Sequence, residues 1–86
     1  MISRTRRSFW ALYARLDAET KAAAQRAYAI FRDQPDTSSL RFKKLGGFAD
    51  VWSVRINEQY RAVGRRSGDT VVWFWIGSHN DFDKMF

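Results

Sequence analysis

The 86 residues predict an α/β domain of the α+β kind: an N-terminal two-helix hairpin packed on an antiparallel sheet of three or four strands. Two observations carry this. Apolar residues recur at helical spacing up to Phe31, and from Ser38 onward they recur at strand spacing. Short turns then separate the strand-like runs, and tight turns join antiparallel neighbours. Size sets the limit: 86 residues make one domain, residues 1–86, with no room for a second core.

The first helix is expected to begin near Ser3 or Thr5, because Phe9, Leu12, Tyr13 and Leu16 fall at i, i+3, i+4, i+7. Asp17 can cap a second helix, in which Ala24, Ala27, Tyr28 and Phe31 repeat that spacing. Pro35 disfavours helical geometry at Gln34 and stops it. The short Leu16-Asp17 junction makes the two helices a hairpin, and Ala22-Ala23-Ala24 permits close approach to a neighbour.

Leu40 and Phe42 then alternate with Arg41 and Lys43, a first sheet strand that ends at Gly46-Gly47. In the next strand Trp52, Val54 and Ile56 share one face, with Val51, Ser53 and Arg55 on the other. Asn57-Glu58-Gln59 turns the chain into a third strand, Tyr60 to Arg66, which carries Arg61, Val63 and Arg65 on one side. After Ser67-Gly68-Asp69, Thr70 to Ile76 is apolar on both faces, the mark of a strand inside the sheet and covered on both sides. Asp81 to Phe86 is expected to form one helical turn or to fray. The hairpin must bury its stripe on one sheet face, which leaves the other for Arg55, Arg61 or Arg65.

Charge narrows the partners. Fifteen Lys and Arg against nine acids give a net +6 and a pI near 10.3, which favours phosphate-rich or acidic partners. There is no cysteine and one histidine, so disulfides, a zinc knuckle and metal-ligand spacing are all missing, and neither metal nor cofactor is expected. The basic N-terminal run lacks a signal peptide's apolar core, and no segment has the roughly 20 apolar residues of a membrane span. A cytoplasmic protein without a membrane partner is the expectation.

The candidate chemistry concerns a phosphodiester. Metal-free RNA cleavage needs a group to take the 2′-hydroxyl proton, cations for the phosphorane, and a proton for the 5′ leaving oxygen. Arginine suits the second task, since its fork stays charged and offers two parallel donors to phosphate oxygens. Histidine suits the first or third. Arg55, Arg61 and His79 lie on three successive strands or their ends, with Lys43 and Lys44 flanking from the first strand and Arg65 further along the third. Structural readings stand beside these. His79 can be a polar loop residue or helix cap, Arg61 can pair with Glu58, and Trp73 and Trp75 can be core. Arg55, Lys43 and Lys44 can form a solvated strand face.

The runs Leu40-Arg41-Phe42-Lys43-Lys44-Leu45-Gly46 and Val51-Trp52-Ser53-Val54-Arg55-Ile56-Asn57-Glu58-Gln59-Tyr60-Arg61-Ala62-Val63 resemble the RelE/ParE superfamily of bacterial toxins. The closing Trp73-Phe74-Trp75-Ile76-Gly77-Ser78-His79-Asn80-Asp81-Phe82-Asp83-Lys84 is similar to the last strand and His-x-x-aromatic-Asp signature of such chains, HigB-like ones included. The resemblance covers about residues 24–86. It implies a toxin neutralised by a cognate antitoxin. RelE-like members cleave mRNA in the ribosomal A site, whereas ParE-like members poison DNA gyrase.

Carried over residue by residue, Arg61 matches the arginine that stabilises the transition state in RelE-like nucleases. Arg55 takes the basic position of the preceding strand, and His79 that of a catalytic histidine or basic residue. Trp52 and Val54 replace a lysine-rich pattern, no tyrosine follows His79, and the N-terminus reads as helix where the family has a strand. The resemblance thus implies a ribosome-dependent mRNA endoribonuclease, with alternatives in a ParE-like gyrase inhibitor and in a basic binding module for an acidic antitoxin.

Overall fold

A computed structural model describes residues 1–86. The elements run β1 (Ile2–Thr5), α1 (Arg7–Tyr13), α2 (Ala18–Asp33), β2 (Lys43–Lys44), β3 (Val51–Arg55), β4 (Tyr60–Ser67), β5 (Thr70–Ser78) and α3 (His79–Met85). The α+β reading holds, with one addition at the start. Ile2 to Thr5 form a strand, and the first helix begins at Arg7, not near Ser3 or Thr5. Those four residues precede the helical stripe and pair in parallel with the far end of the chain, Ile2 opposite Thr70 and Thr5 opposite Trp73. No local pattern encodes that pairing. The sheet therefore has five strands in the order β1-β5-β4-β3-β2, antiparallel except at β1.

β1 covers only the first half of β5. Beyond Trp73 the chain turns into α1, which occupies the free edge: the Arg6 amide donates to Trp73 O at 2.9 Å and Ser8 Oγ to Phe74 O at 2.8 Å. An edge that would otherwise present unpaired backbone is closed this way. Asp17 caps α2, accepting from the Thr20 amide at 2.7 Å, and the helix ends at Asp33, two residues before Pro35. Ala24, Ala27 and Phe31 of α2 bury against Val54, Ala62, Val71, Trp73 and Ile76 on one face of the sheet. This is the hairpin face.

α1 and α2 do not close over it completely. An apolar groove of about 520 Å³ runs between them, lined among others by Phe9, Trp10, Tyr13, Tyr28, Phe31 and Trp73. Trp10 and Tyr28 leave 51% and 48% of their surface exposed at its rim.

The first expected sheet strand is shorter than the alternation suggests. Ser38 to Leu40 form a 3₁₀ turn, Arg41 is left-handed at φ 46°, and only Lys43 and Lys44 pair. Leu40 is buried from the turn itself, and Phe42 meets Phe31 edge-on at 4.9 Å, so neither needs a strand to reach the core.

β5 explains its own apolar density. Val63 and Gly64, adjacent on β4, face Trp75 and Trp73, so Phe74 is an extra residue in a β-bulge. Plain alternation would put both tryptophans on one face. With the bulge, Trp73 joins the hairpin face and Trp75 the opposite one, where Leu45, Val51 and Val63 form a second cluster with Phe74, Phe82 and Phe86 packed against it. The tail forms a two-turn helix, with Ser78 Oγ accepting from the Asp81 amide and Phe82 and Phe86 folding back over Trp75. This second side is the α3 face. No helix is long and apolar enough to cross a membrane.

Candidate functional site

Directly opposed residues of antiparallel strands share a face. The register places Arg55 opposite Arg61 and Arg61 opposite Gly77, a row across β3, β4 and β5 on the α3 face, at the end nearest the β3–β4 turn. Two arginines thus oppose each other across the strands, close enough for their charges to interact, with a glycine beyond them. His79 opens α3 immediately past that end of β5. Its backbone amide donates to Gln59 O at 2.6 Å, which ties the helix start to the start of β4.

The turn orders Arg61. Asn57 Oδ1 accepts from the amides of Gln59 and Tyr60, each at 2.9 Å, an Asx turn that fixes the loop. Arg61 Nη1 then donates to Asn57 O at 2.6 Å and Tyr60 O at 2.9 Å. Glu58 does not pair with Arg61. It lies 3.9 Å from Arg55 Nη2, with its own side chain in solvent, an ion pair of little strength. Burial holds the Arg61 guanidinium below its ordinary value, the nearby charges of Arg55 and Arg41 push the same way, and Asp83 opposes them. Arg61 stays charged at neutral pH. The electrostatic character of this end is therefore concentrated positive charge with little carboxylate to spend it on.

His79 Nε2 lies 3.5 Å from Asp83 Oδ2, one helical turn on, and the His79 ring is about half exposed. With Glu58, Gln59, Tyr60, Ser78 and Asn80 it lines a shallow surface pocket. Gln59 and Tyr60 also wall a larger groove toward α2 that Arg55 and Arg26 enter. An exposed imidazole thus stands at the same end of the sheet as Arg55 and Arg61, a combination suited to an anionic substrate.

The remaining basic candidates separate. Lys43 is opposite Ser53, on the α3 face one row from Arg55. Lys44 is opposite Trp52 and points to the hairpin side. Arg65 is on the α3 face but four residues along β4 from Arg61, about 13 Å at 3.3 Å per residue. Trp73 and Trp75 are core, 6% and 7% exposed. Two contributors were not singled out from sequence: Asn57 has the Asx-turn chemistry that signals its role, and Arg41 has no local signal. Asp83, the acid of the His-x-x-aromatic-Asp run, meets His79 through the i,i+4 spacing of the helical tail.

A model of the ParE-like toxin domain matches residues 19–84. The fold is similar to that of a chain in the RelB-RelE antitoxin-toxin complex from Methanococcus jannaschii, with TM-score 0.77 and 13% identity over 96% of this chain and 98% of that one. It is similar to the YoeB/ParE toxin from Agrobacterium tumefaciens at 25% identity and TM-score 0.70, covering 92% of this chain and 99% of that one. A chain of the toxin-antitoxin complex RelBE2 from Mycobacterium tuberculosis aligns with TM-score 0.63 and 22% identity, over 91% and 96% of the two chains. No curated protein matches the sequence.

Proposed function

The chain belongs to the ParE-like toxin domain family, and on that premise we propose that it is the toxin of a type II toxin–antitoxin module, acting as a metal-independent, ribosome-dependent mRNA endoribonuclease. The observation that supports the nuclease reading is the row Arg55–Arg61 with His79 at the adjoining strand end. Arg61 neutralises the phosphorane, because its fork is already aimed by two carbonyls and needs no reorganisation. His79 takes the 2′-hydroxyl proton or returns one to the 5′ oxygen. Arg55 and Lys43 position the strand. Lys44 and Arg65 stand apart from this row and receive no contact with the scissile phosphate.

The partner is an antitoxin, acidic by complementarity to the net +6. Two of the similar structures are themselves toxin-antitoxin complexes. An amphipathic antitoxin segment would find apolar surface in the groove rimmed by Trp10 and Tyr28.

A second reading, a toxin that inhibits DNA gyrase without His79 chemistry, is favoured by the ParE-like match and by Trp52 and Val54 in place of lysines. Expression of wild type, Arg61→Ala and His79→Ala separates the two. Nuclease action predicts growth arrest with transcripts cut at codon boundaries, and a loss of at least about 100-fold in cleavage for Arg61→Ala. Arrest that survives both substitutions, with intact mRNA and altered DNA supercoiling, establishes the gyrase reading instead.

A further inference from the structure

Arg61 faces a residue with no side chain, Gly77, and the space a side chain would take there is filled from two residues earlier on the same strand. A Cβ built on Gly77 would stand 2.7 Å from Cζ2 and 2.8 Å from Cη2 of Trp75. The six-membered ring of the indole therefore lies against the Gly77 backbone, beside Arg61. Above it, Phe82 lies at 6.4 Å between centroids and Phe86 meets it edge-on at 5.5 Å. Phe82 sits one turn along α3 from His79 and next to Asp83, whose carboxylate acts on Arg61. One buried ring thus lies between Gly77, the residue opposite Arg61 in the sheet, and the helix carrying the imidazole. It reaches this face only because Phe74 is an extra residue in β5.

We propose that Trp75 is a positioning residue of the site: its indole, seated on Gly77 and beneath Phe82, sets the separation between Arg61 on the sheet and His79 with Asp83 on α3. The ring is 7% exposed, so it acts through its neighbours and not by touching RNA. The inference deepens the nuclease reading and rests on it for the roles of Arg61 and His79. Its physical content is order. With the space over Gly77 filled by the indole, the Arg61 guanidinium is directed toward the carbonyls of Asn57 and Tyr60. Displacing positioned groups by about 1 Å can cost about 100-fold in rate.

Three variants test it: Gly77→Ala, Trp75→Phe and the two combined. Alanine at 77 collides with Cζ2 and Cη2, atoms that a phenyl ring at 75 does not have. Gly77→Ala should therefore lower kcat for ribosome-bound mRNA about 10- to 100-fold with KM nearly unchanged, Trp75→Phe should lower it less, and the double variant should recover most of the loss. Independently of activity, the NMR resonances of the Arg61 Nε–H and the His79 ring should shift in Gly77→Ala and return toward wild type in the double variant. A purely structural role predicts the reverse, a double variant worse than either single one. Unmoved resonances in Gly77→Ala, or no recovery in the double variant, overturn the proposal. If Gly77→Ala does not fold, Trp75→Phe alone decides, by whether the same two resonances move. Resonances that respond as expected in a protein that cuts no RNA uphold the positioning role and remove the nuclease reading.

Discussion

Toward the β3–β4 turn the α3 face carries Arg55, Arg61 and Gly77; one row further in, the same three strands carry Ser53, Val63 and Trp75 beneath Phe82. The rows are a few ångströms apart and differ in what holds them. The inner row is dry: Ser53 is 2% and Val63 0% exposed, and removal of apolar surface from water stabilises it. The outer row gathers like charges that burial and mutual repulsion both disfavour, relieved by carbonyls and an exposed Glu58. Stability resides in one row, and the proposed function places anion binding in the next. Substitutions in the two should therefore separate.

Trp75→Ala should have the largest effect on folding, about 3–5 kcal/mol of stability, or a fall in Tm of more than about 12 °C. Thermal denaturation followed by near-ultraviolet circular dichroism checks it. A small change would mean that the inner row does not hold α3 to the sheet, and the contrast would fail.

Arg61→Gln should do the opposite, with Tm within a few degrees of wild type. Phosphate at its dissociation constant should stabilise the wild type by about 0.4 kcal/mol through mass action. Calorimetric scans with and without phosphate should show that gain reduced in Arg61→Gln and in Arg55→Gln. An equal gain in all three would show that the outer row is not the anion site.

The smallest effect is expected remote from both rows, at the α2 cap. Hydrogen bonding from Thr20 lowers the Asp17 carboxyl pKa below its ordinary value. A folded-state pKa below the unfolded one contributes stability that is present above about pH 4 and lost as pH falls through the folded value. Asp17→Asn retains the cap without the charge. Between about pH 5 and pH 2, Tm should fall slightly less steeply in Asp17→Asn than in wild type, while the contrast between the two rows stays unchanged at neutral pH. Parallel slopes would remove Asp17 from the acid response.

What the sequence disclosed divides along the same line. Alternation in β3 and β4 put Arg55 and Arg61 on a shared face, and the short Asn57-Glu58-Gln59 turn made them neighbours, so the charged row was legible. The hairpin face was legible for the same reason, since Phe31, Val54 and Ala62 follow undisturbed periods. Of the inner row, Ser53 and Val63 were legible in the same way, but Trp75 was not. A run in which every residue from Val71 to Ile76 is apolar cannot show where its period slips, and the bulge at Phe74 decides which face each tryptophan takes. β1 was hidden because Ile-Ser-Arg-Thr acquires its strand geometry from a partner 68 residues away. Arg41 reaches the arginine group through a left-handed backbone that nothing in its neighbours requires.

The pairing of β1 with β5 has a consequence for how the molecule comes into being. Its first strand bonds only to its last, with the Ile2 amide donating to Asp69 O at 2.7 Å. A nascent chain can form α1 and α2 as soon as they are made, since their hydrogen bonds are local. The five-stranded sheet cannot close until β5 has been synthesised, and contacts of such long sequence separation form slowly. The arginine row depends on the same strand through Gly77, and His79 follows it. A ribosome making this protein carries an incomplete surface until β5 and His79 have been synthesised.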